Sequence, residues 1–498
     1  MNLYSTLFLI GILIATLIYY HVRHALYWSS RKVPSLWPLP LVGNFKDFVL
    51  MKNSPGEFMM SFYKKTEEPA LGIFVFHRPS LFIREPSWIK SILVKDFNKF
   101  QDRVSSTDGH NDALGSRNLF RIKNPLWKEM RTKLTPIFST AKIKNMFPLM
   151  TQVGEEFTEY LNEMLKVKNT DNMREACAKF TTDVITSCAF GIQANSFKDP
   201  KAEFRDIGRR IFAAEYLRAL EISAFFFFPE VVSLLGFKLF EKYGTKFLRQ
   251  SFNEVFNARV KSGTTRHDLV DMLIDLKNIK TAPGELKFEG DTLVAQAAVF
   301  FAAGYEASSG AISFTLYEIA LQPEIQNRLR SEILSKIKEH GITYDAIKEM
   351  RYLDMVVCET LRKYPTLPFL DRMCLSSYQL PEPYEHVILE PGTPIYLSIL
   401  AIHMDPKYYP NPEKYDPERF SESMKQSRDP YTYMPFGAGP HNCIGERFGL
   451  LQTKVGLVYV LKDFLVKPCG KTRIPLLLDS KAMFLAPKGG IQLQFERI

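Results

Sequence analysis

Cysteine is scarce: Cys177, Cys188, Cys358, Cys374, Cys443 and Cys469 are the 6 cysteines of a 498-residue chain, and no two form a C-x-x-C pair. That spacing argues against a zinc knuckle or dithiol redox centre, and the sparse usage fits a reducing compartment better than a disulfide framework. No flavin- or nicotinamide-binding fingerprint is evident, so redox chemistry would need a separate electron donor. Nothing resembles a nucleic-acid-binding motif either, although Lys and Arg exceed Asp and Glu by 64 − 54 = 10. A scattered basic excess suits an anionic membrane surface or an acidic protein partner, and no nucleic acid is expected. Hydrophobic residues make up 46%, enough for a sizeable core and against disorder.

From Leu3 to Tyr20, 18 residues carry no charged side chain. As a helix this run spans ~27 Å, about the hydrocarbon thickness of a bilayer. A secretory signal would place positive charge before the run and a small-residue cleavage site after it. Here Arg23, Arg31 and Lys32 come afterwards, which predicts an uncleaved transmembrane anchor over residues 1–22 with the bulk of the chain cytoplasmic. Residues 23–44 read as a basic, proline-rich hinge, because Pro34, Pro38 and Pro40 cannot propagate a helix. The catalytic body is expected over 45–498.

Within that body, Leu71–Phe76 and Ser80–Ile83 are β-branched and aromatic runs that predict a hairpin, followed by a helix from Pro86. Asp102–Lys123 is polar and weakly periodic, as expected for a long surface loop. Residues 147–276 are mostly helix-compatible, without repeats or low-complexity segments. They are interrupted by Phe225-Phe226-Phe227-Phe228-Pro229. Four consecutive phenylalanines cannot all face one core, so a substrate cavity, lipid or plain core packing all remain open for them. Asp291–Leu321 reads as one long helix, N-capped by Asp291 and ended before Pro323. Its middle, Ala302-Ala303-Gly304-Tyr305-Glu306-Ala307-Ser308-Ser309-Gly310, is rich in small residues, and Glu306 is a carboxylate in an apolar crossing. Small residues there suit either tight helix packing or the approach of something flat, and glycine beside serines can loosen the helical ladder. Met483–Leu485 and Ile491–Gln494 predict a terminal hairpin whose turn reaches the substrate cavity.

Three constellations carry chemistry. Cys443 follows a glycine-rich loop that begins at Phe436, and a helix-compatible run follows the cysteine. A helix start supplies free N–H groups and positive dipole, both of which favour the thiolate, a metal ligand. Gly445 would let a flat macrocycle lie close to the backbone, with Phe436 covering the other side of the sulfur. A buried structural cysteine beside an ordinary turn is the alternative. Trp127 and Arg131 stand one helical turn apart, so an indole N–H and a guanidinium could bind a carboxylate together. Glu359 and Arg362 share a helix face at i, i+3.

Phe436–Gly445 resembles the haem-ligand loop of the cytochrome P450 family, Phe-x-x-Gly-x-Arg-x-Cys-x-Gly, with His441 at the usual arginine. The resemblance implies a mainly α fold with small β-sheets (α+β), in which a long central helix lies over haem b. Cys443 would be the metal ligand, while Trp127, Arg131, Arg372 and, more weakly, His441 would reach the propionates. Gly304, Phe436 and Gly445 complete the implied cofactor-binding set. Glu306, Ala307 and Ser308 match the oxygen-activation motif except that its threonine is Ala307, which cannot deliver a proton. Glu359, Arg362 and Arg419 would form a buried structural cluster.

The implied activity is a microsomal monooxygenase, similar to insect and vertebrate enzymes that oxidise lipophilic foreign compounds. NADPH electrons would arrive through NADPH-cytochrome P450 reductase, with cytochrome b5 as a second donor, at the endoplasmic reticulum membrane. Ala307 also motivates an alternative, a haem-thiolate isomerase or dehydratase acting on hydroperoxides. A non-catalytic haem sensor or carrier is the other reading.

Overall fold

The computed structural model describes residues 3–107, 112–280 and 285–498. The fold is mainly helical with small sheets, as expected. Ala70–Val75 and Arg78–Ile83 pair antiparallel with Ala70 opposite Ile83. Pro394–Ser398 then joins in parallel, and Phe369–Met373 closes that four-stranded sheet antiparallel. The first helix, Leu3–Ala25, is long and apolar enough to cross a membrane, and its apolar window is unburied.

The following segment is fastened to the body and is no free linker. Trp28 is fully buried because Gly72 leaves a notch for it; a Cβ on Gly72 would lie 2.3 Å from Trp28 Cγ. The Trp28 indole donates to Ile73 O at 3.2 Å, and Gly72 N–H donates to Pro34 O at 2.7 Å.

The organising element is the central helix, Asp291–Ala320, at 30 residues about 45 Å long. It packs on the Met173–Ala189 and Glu446–Leu461 helices and is wholly buried from Ser308 on. Asp291 is not its N-cap: Gly290 holds that position, and the Asp291 carboxylate is claimed by Arg249 at 2.7 and 3.1 Å. The helix is also unbroken through its small-residue centre. Ser309 and Ser313 hydroxyls donate to carbonyls three residues back, at 3.1 and 3.0 Å, without interrupting it.

Two other expectations change, and one left open is decided. The Asp102–Lys123 stretch is an inner wall, with Arg103, Leu114, Asn118 and Arg121 buried; its residues 108–111 lie outside the described residues. Its polar groups are buried because partners await them, such as Gln296 of the central helix, which binds Leu119 N and Arg117 O at 3.0 and 2.9 Å. Phe225, Phe226 and Phe227 belong to the core, with Phe227 stacked on Phe369 at 5.2 Å, while Phe228 packs on Phe76. Phe226 and Phe227 both meet Phe369, Phe227 also meets Phe45, Phe48 and Tyr396, and Arg121 lies over the Phe225 ring, so consecutive rings each find partners. The C-terminal strand, Gln492–Arg497, pairs with Phe464–Pro468 and Thr170–Asn172; residues 483–485 form no strand.

Candidate active site

The loop before Cys443 is shaped by Gly437 and Gly439, both left-handed at φ 73° and 71°. A Cβ on Gly439 would lie 2.0 Å from Leu93 O, so no other residue fits there. Cys443 N–H closes the loop onto Phe436 O at 2.8 Å. Burial pushes the Cys443 thiol up to about 11, outweighing the Gly445 N–H and the Arg131 and Arg103 charges that favour the thiolate. The helix start therefore does not suffice to ionise this cysteine; a bound metal cation would. Although Cys443 lies deep in the body, its side chain keeps open surface. The sulfur thus faces an internal space.

The central helix presents a matching strip. Ala303 is exposed, and Phe300 and Ala307 are half-buried, at i, i+3, i+7 on one face of the helix. Phe138 connects the two sides: it lies 3.8 Å from where a Gly445 Cβ would be and 5.2 Å from the Phe300 ring centre. Gly304 serves helix packing, since a Cβ there would meet Ile185 at 2.8 Å. Ser308 is turned toward Gly449, 3.7 Å from the position of its missing Cβ. Glu306 forms an ion pair with Arg174, whose other nitrogen donates to Ser309. Glu306 and Ser309 therefore join one network, from which Ser308 is turned away.

Beside the loop lies a concentration of positive charge. Arg131 donates to Asn442 O and Oδ1 at 2.9 and 2.8 Å, and Arg103 donates to His441 O at 3.3 Å. Arg372 donates to Asp371 O at 2.7 Å. The Asp371 carboxylate accepts from Val104 N at 2.5 Å. Burial, and then Arg103, lower Arg372 to about 9; Arg103 is lowered as well, by burial first.

His441 contributes no cation. Burial and the charges of Arg103, Arg372 and Arg131 push its pKa far below the usual value, and its neutral ring donates to Gln101 O at 2.6 Å while lying 3.8 Å from the Trp127 ring. Arg103 was not among the residues singled out from sequence. It belongs to no spaced motif, and only folding brings it to His441, 338 positions away.

Away from the sulfur, a half-open cleft of about 820 Å³, open solvent included, runs between the Glu203–Ile211 helix, the central helix and residues 479–487. Glu306 and Tyr305 form part of its floor, so it meets the central helix next to Ala307.

The family model for Cytochrome P450 matches residues 33–495. The chain belongs to the cytochrome P450 family. It is 46% identical over 503 aligned residues to Cytochrome P450 6k1 of Blattella germanica, covering 97% of this chain and 95% of that protein. It is 43% identical to Probable cytochrome P450 6g2 of Drosophila melanogaster, covering 95% of each. Cytochrome P450 6j1 of Blattella germanica follows at 41%, covering 95% of this chain and 94% of that protein. Cytochrome P450 enzymes are haem-dependent monooxygenases, and the chain is an oxidoreductase of this kind.

The residues present fit haem. Cys443 offers an internally facing sulfur, Ala303 and Ala307 leave helix surface uncovered, and Arg103 Nε and Nη1 and Arg372 Nε are buried without hydrogen-bond partners. Unpaired buried guanidinium nitrogens call for anions such as propionates. Behind the loop, Glu359 and Arg362, both fully buried, pair at 2.7 and 2.8 Å, with Arg419 Nε 3.6 Å from Glu359. Arg362 also donates to His403 O at 2.9 Å, and His403 Nε2 accepts from Met434 N at 2.9 Å, two residues before Phe436. The cluster thus reaches the cysteine loop through backbone.

Proposed function

We propose that Cys443 would ligate the iron of a haem held by Arg103, Trp127, Arg131 and Arg372, and that the chain inserts one oxygen atom into small lipophilic molecules. The internally facing sulfur of Cys443 carries this reading. When bound, thiolate-ligated haem supplies the oxygen-activating chemistry. Phe300, Ala303 and Ala307 provide an apolar surface that orients a greasy substrate and excludes water. Glu306, held by Arg174 at the cleft, stands where protons can enter from solvent. Ala307 leaves no hydroxyl at the motif's threonine position, so an ordered water or a hydroxyl of the substrate completes the path from Glu306.

Electrons come from NADPH through a membrane-bound flavin reductase that docks acidic groups on the basic face around Cys443, with cytochrome b5 as an additional donor. The Leu3–Ala25 helix anchors the protein in the endoplasmic reticulum, catalytic body cytoplasmic, and carries the expected 1–22 anchor on into the 23–44 hinge; residues 45–498 form the catalytic unit. The absent hydroxyl at Ala307 also favours a second reading, rearrangement of hydroperoxides without molecular oxygen.

Reconstitution with reductase tests both. NADPH-dependent oxygenated product from a panel of lipophilic compounds supports the monooxygenase. Turnover of a hydroperoxide without NADPH, with no oxygenated product in its presence, supports the second reading instead.

A further inference from the structure

Asp371 stands close to two unpaired arginines yet spends its hydrogen bonds elsewhere. It is 2% exposed and precedes Arg372 in the Phe369–Met373 strand. Its charge reaches both Arg103 and Arg372, and among the described residues no other carboxylate acts on either. Its Oδ2 accepts from Val104 N at 2.5 Å and from Ser105 N at 3.4 Å. Arg103 Nε and Nη1 and Arg372 Nε are left free for a different anion.

Those two bonds complete a ladder. Leu375 N donates to Lys99 O at 2.8 Å, and Met373 N donates to Asp102 O at 2.9 Å. Two residues further along the strand the Asp371 carboxylate takes over, so residues 99–105 are pinned beside the strand and Arg103 sits just before the last rung. A buried carboxylate is costly, and apolar packing gives no reason for one here. Charge does. Arg103, Arg131 and Arg372 all act on the His441 ring, which is itself neutral. Three guanidiniums against one carboxylate leave two positive charges, the number that two propionates would neutralise.

Resting on the haem-thiolate reading, we propose that Asp371 is a positioning residue for the cofactor edge. It fixes Arg103 beside Arg372 through the backbone of residues 104 and 105, and it holds the net charge there to two units. These roles separate in variants. Asparagine keeps an oxygen that can accept both amides but removes the charge; glutamate keeps the charge and moves the acceptor by one methylene.

The test compares Asp371→Asn, Asp371→Glu and wild-type holoenzyme by spectroelectrochemistry and by haem transfer to excess apomyoglobin. Asp371→Asn is expected to raise the ferrous-to-ferric ratio at a fixed applied potential about tenfold, the scale of one partly screened unit charge at roughly 10 Å. Its haem transfer should stay within about twofold of wild type. Asp371→Glu should leave the ratio in place and speed haem transfer severalfold. An unchanged or lowered ratio in Asp371→Asn, or an Asp371→Glu protein that matches wild type in both readouts, overturns the proposal. Should Asp371→Asn not fold, the glutamate variant decides alone; loss of native far-UV circular dichroism in both variants makes Asp371 a purely structural residue and also overturns it. The carbon-monoxide spectrum of the wild type reports separately: absence of its sulfur-ligated form sinks the haem-thiolate reading itself, whereas its presence with unmoved variants sinks this inference alone.

Discussion

The His441 ring lies against the Trp127 indole, ring centres 3.8 Å apart and planes 37° from parallel. Where the family motif has an arginine, this chain has a neutral ring, used for stacking and for a bond to Gln101 O. The positive charge at that edge comes instead from Arg103, Arg131 and Arg372.

Haem retention should follow that division. Arg103→Gln is expected to speed haem transfer to excess apomyoglobin about tenfold, the scale of losing one charge-assisted hydrogen bond. His441→Asn should have a smaller effect. The assignment fails if the ranking is reversed.

Cys443→Ser should remove the carbon-monoxide spectrum of sulfur-ligated ferrous haem entirely while far-UV circular dichroism stays native. Retention of that spectrum by the serine variant would falsify the ligand assignment.

Ala307→Thr restores a hydroxyl at a half-buried position with free surface beside it. Product formed per NADPH consumed is expected to rise about twofold or more as proton delivery improves. An unaltered ratio means that another group, such as an ordered water or a substrate hydroxyl, already delivers the protons.

Glu359→Gln strands the buried Arg362 and crowds it with Arg419, a loss expected at ~3–5 kcal/mol. For a chain of this length the cleanest measure is the rate of thermal inactivation of the haem spectrum. A rate within about twofold of wild type would show the cluster to be dispensable for stability.

Acid should weaken the fold through His403. Burial, then the Arg362 and Arg428 charges, lowers its pKa to about 3, below the usual 6.5. The folded state binds fewer protons than the unfolded one between those values, so His403's contribution is fully present above pH ~6.5 and is lost progressively as pH falls toward 3, at ~1.4 kcal/mol per pH unit. Between pH 6.5 and 5, urea unfolding of wild type should therefore lose ~2 kcal/mol more than that of His403→Gln. Parallel pH profiles for the two proteins count against the assignment.

Local patterns alone determined much of this protein. The apolar run before Arg23, the Trp127–Arg131 spacing and the glycine-flanked Cys443 each act over a few residues, where periodicity and allowed backbone angles decide the outcome.

Tertiary structure alone decided who meets whom. Arg131 finds Asn442 across 311 positions and Arg103 finds His441 across 338. Gly304 turned out to serve Ile185, Asp291 to serve Arg249, and three of the four phenylalanines to serve the core. The reason is physical: short-range sequence sets which conformations a segment can adopt, whereas the protonation of Cys443 and His441, and the net charge around Asp371, depend on desolvation and on neighbours that only the folded chain assembles.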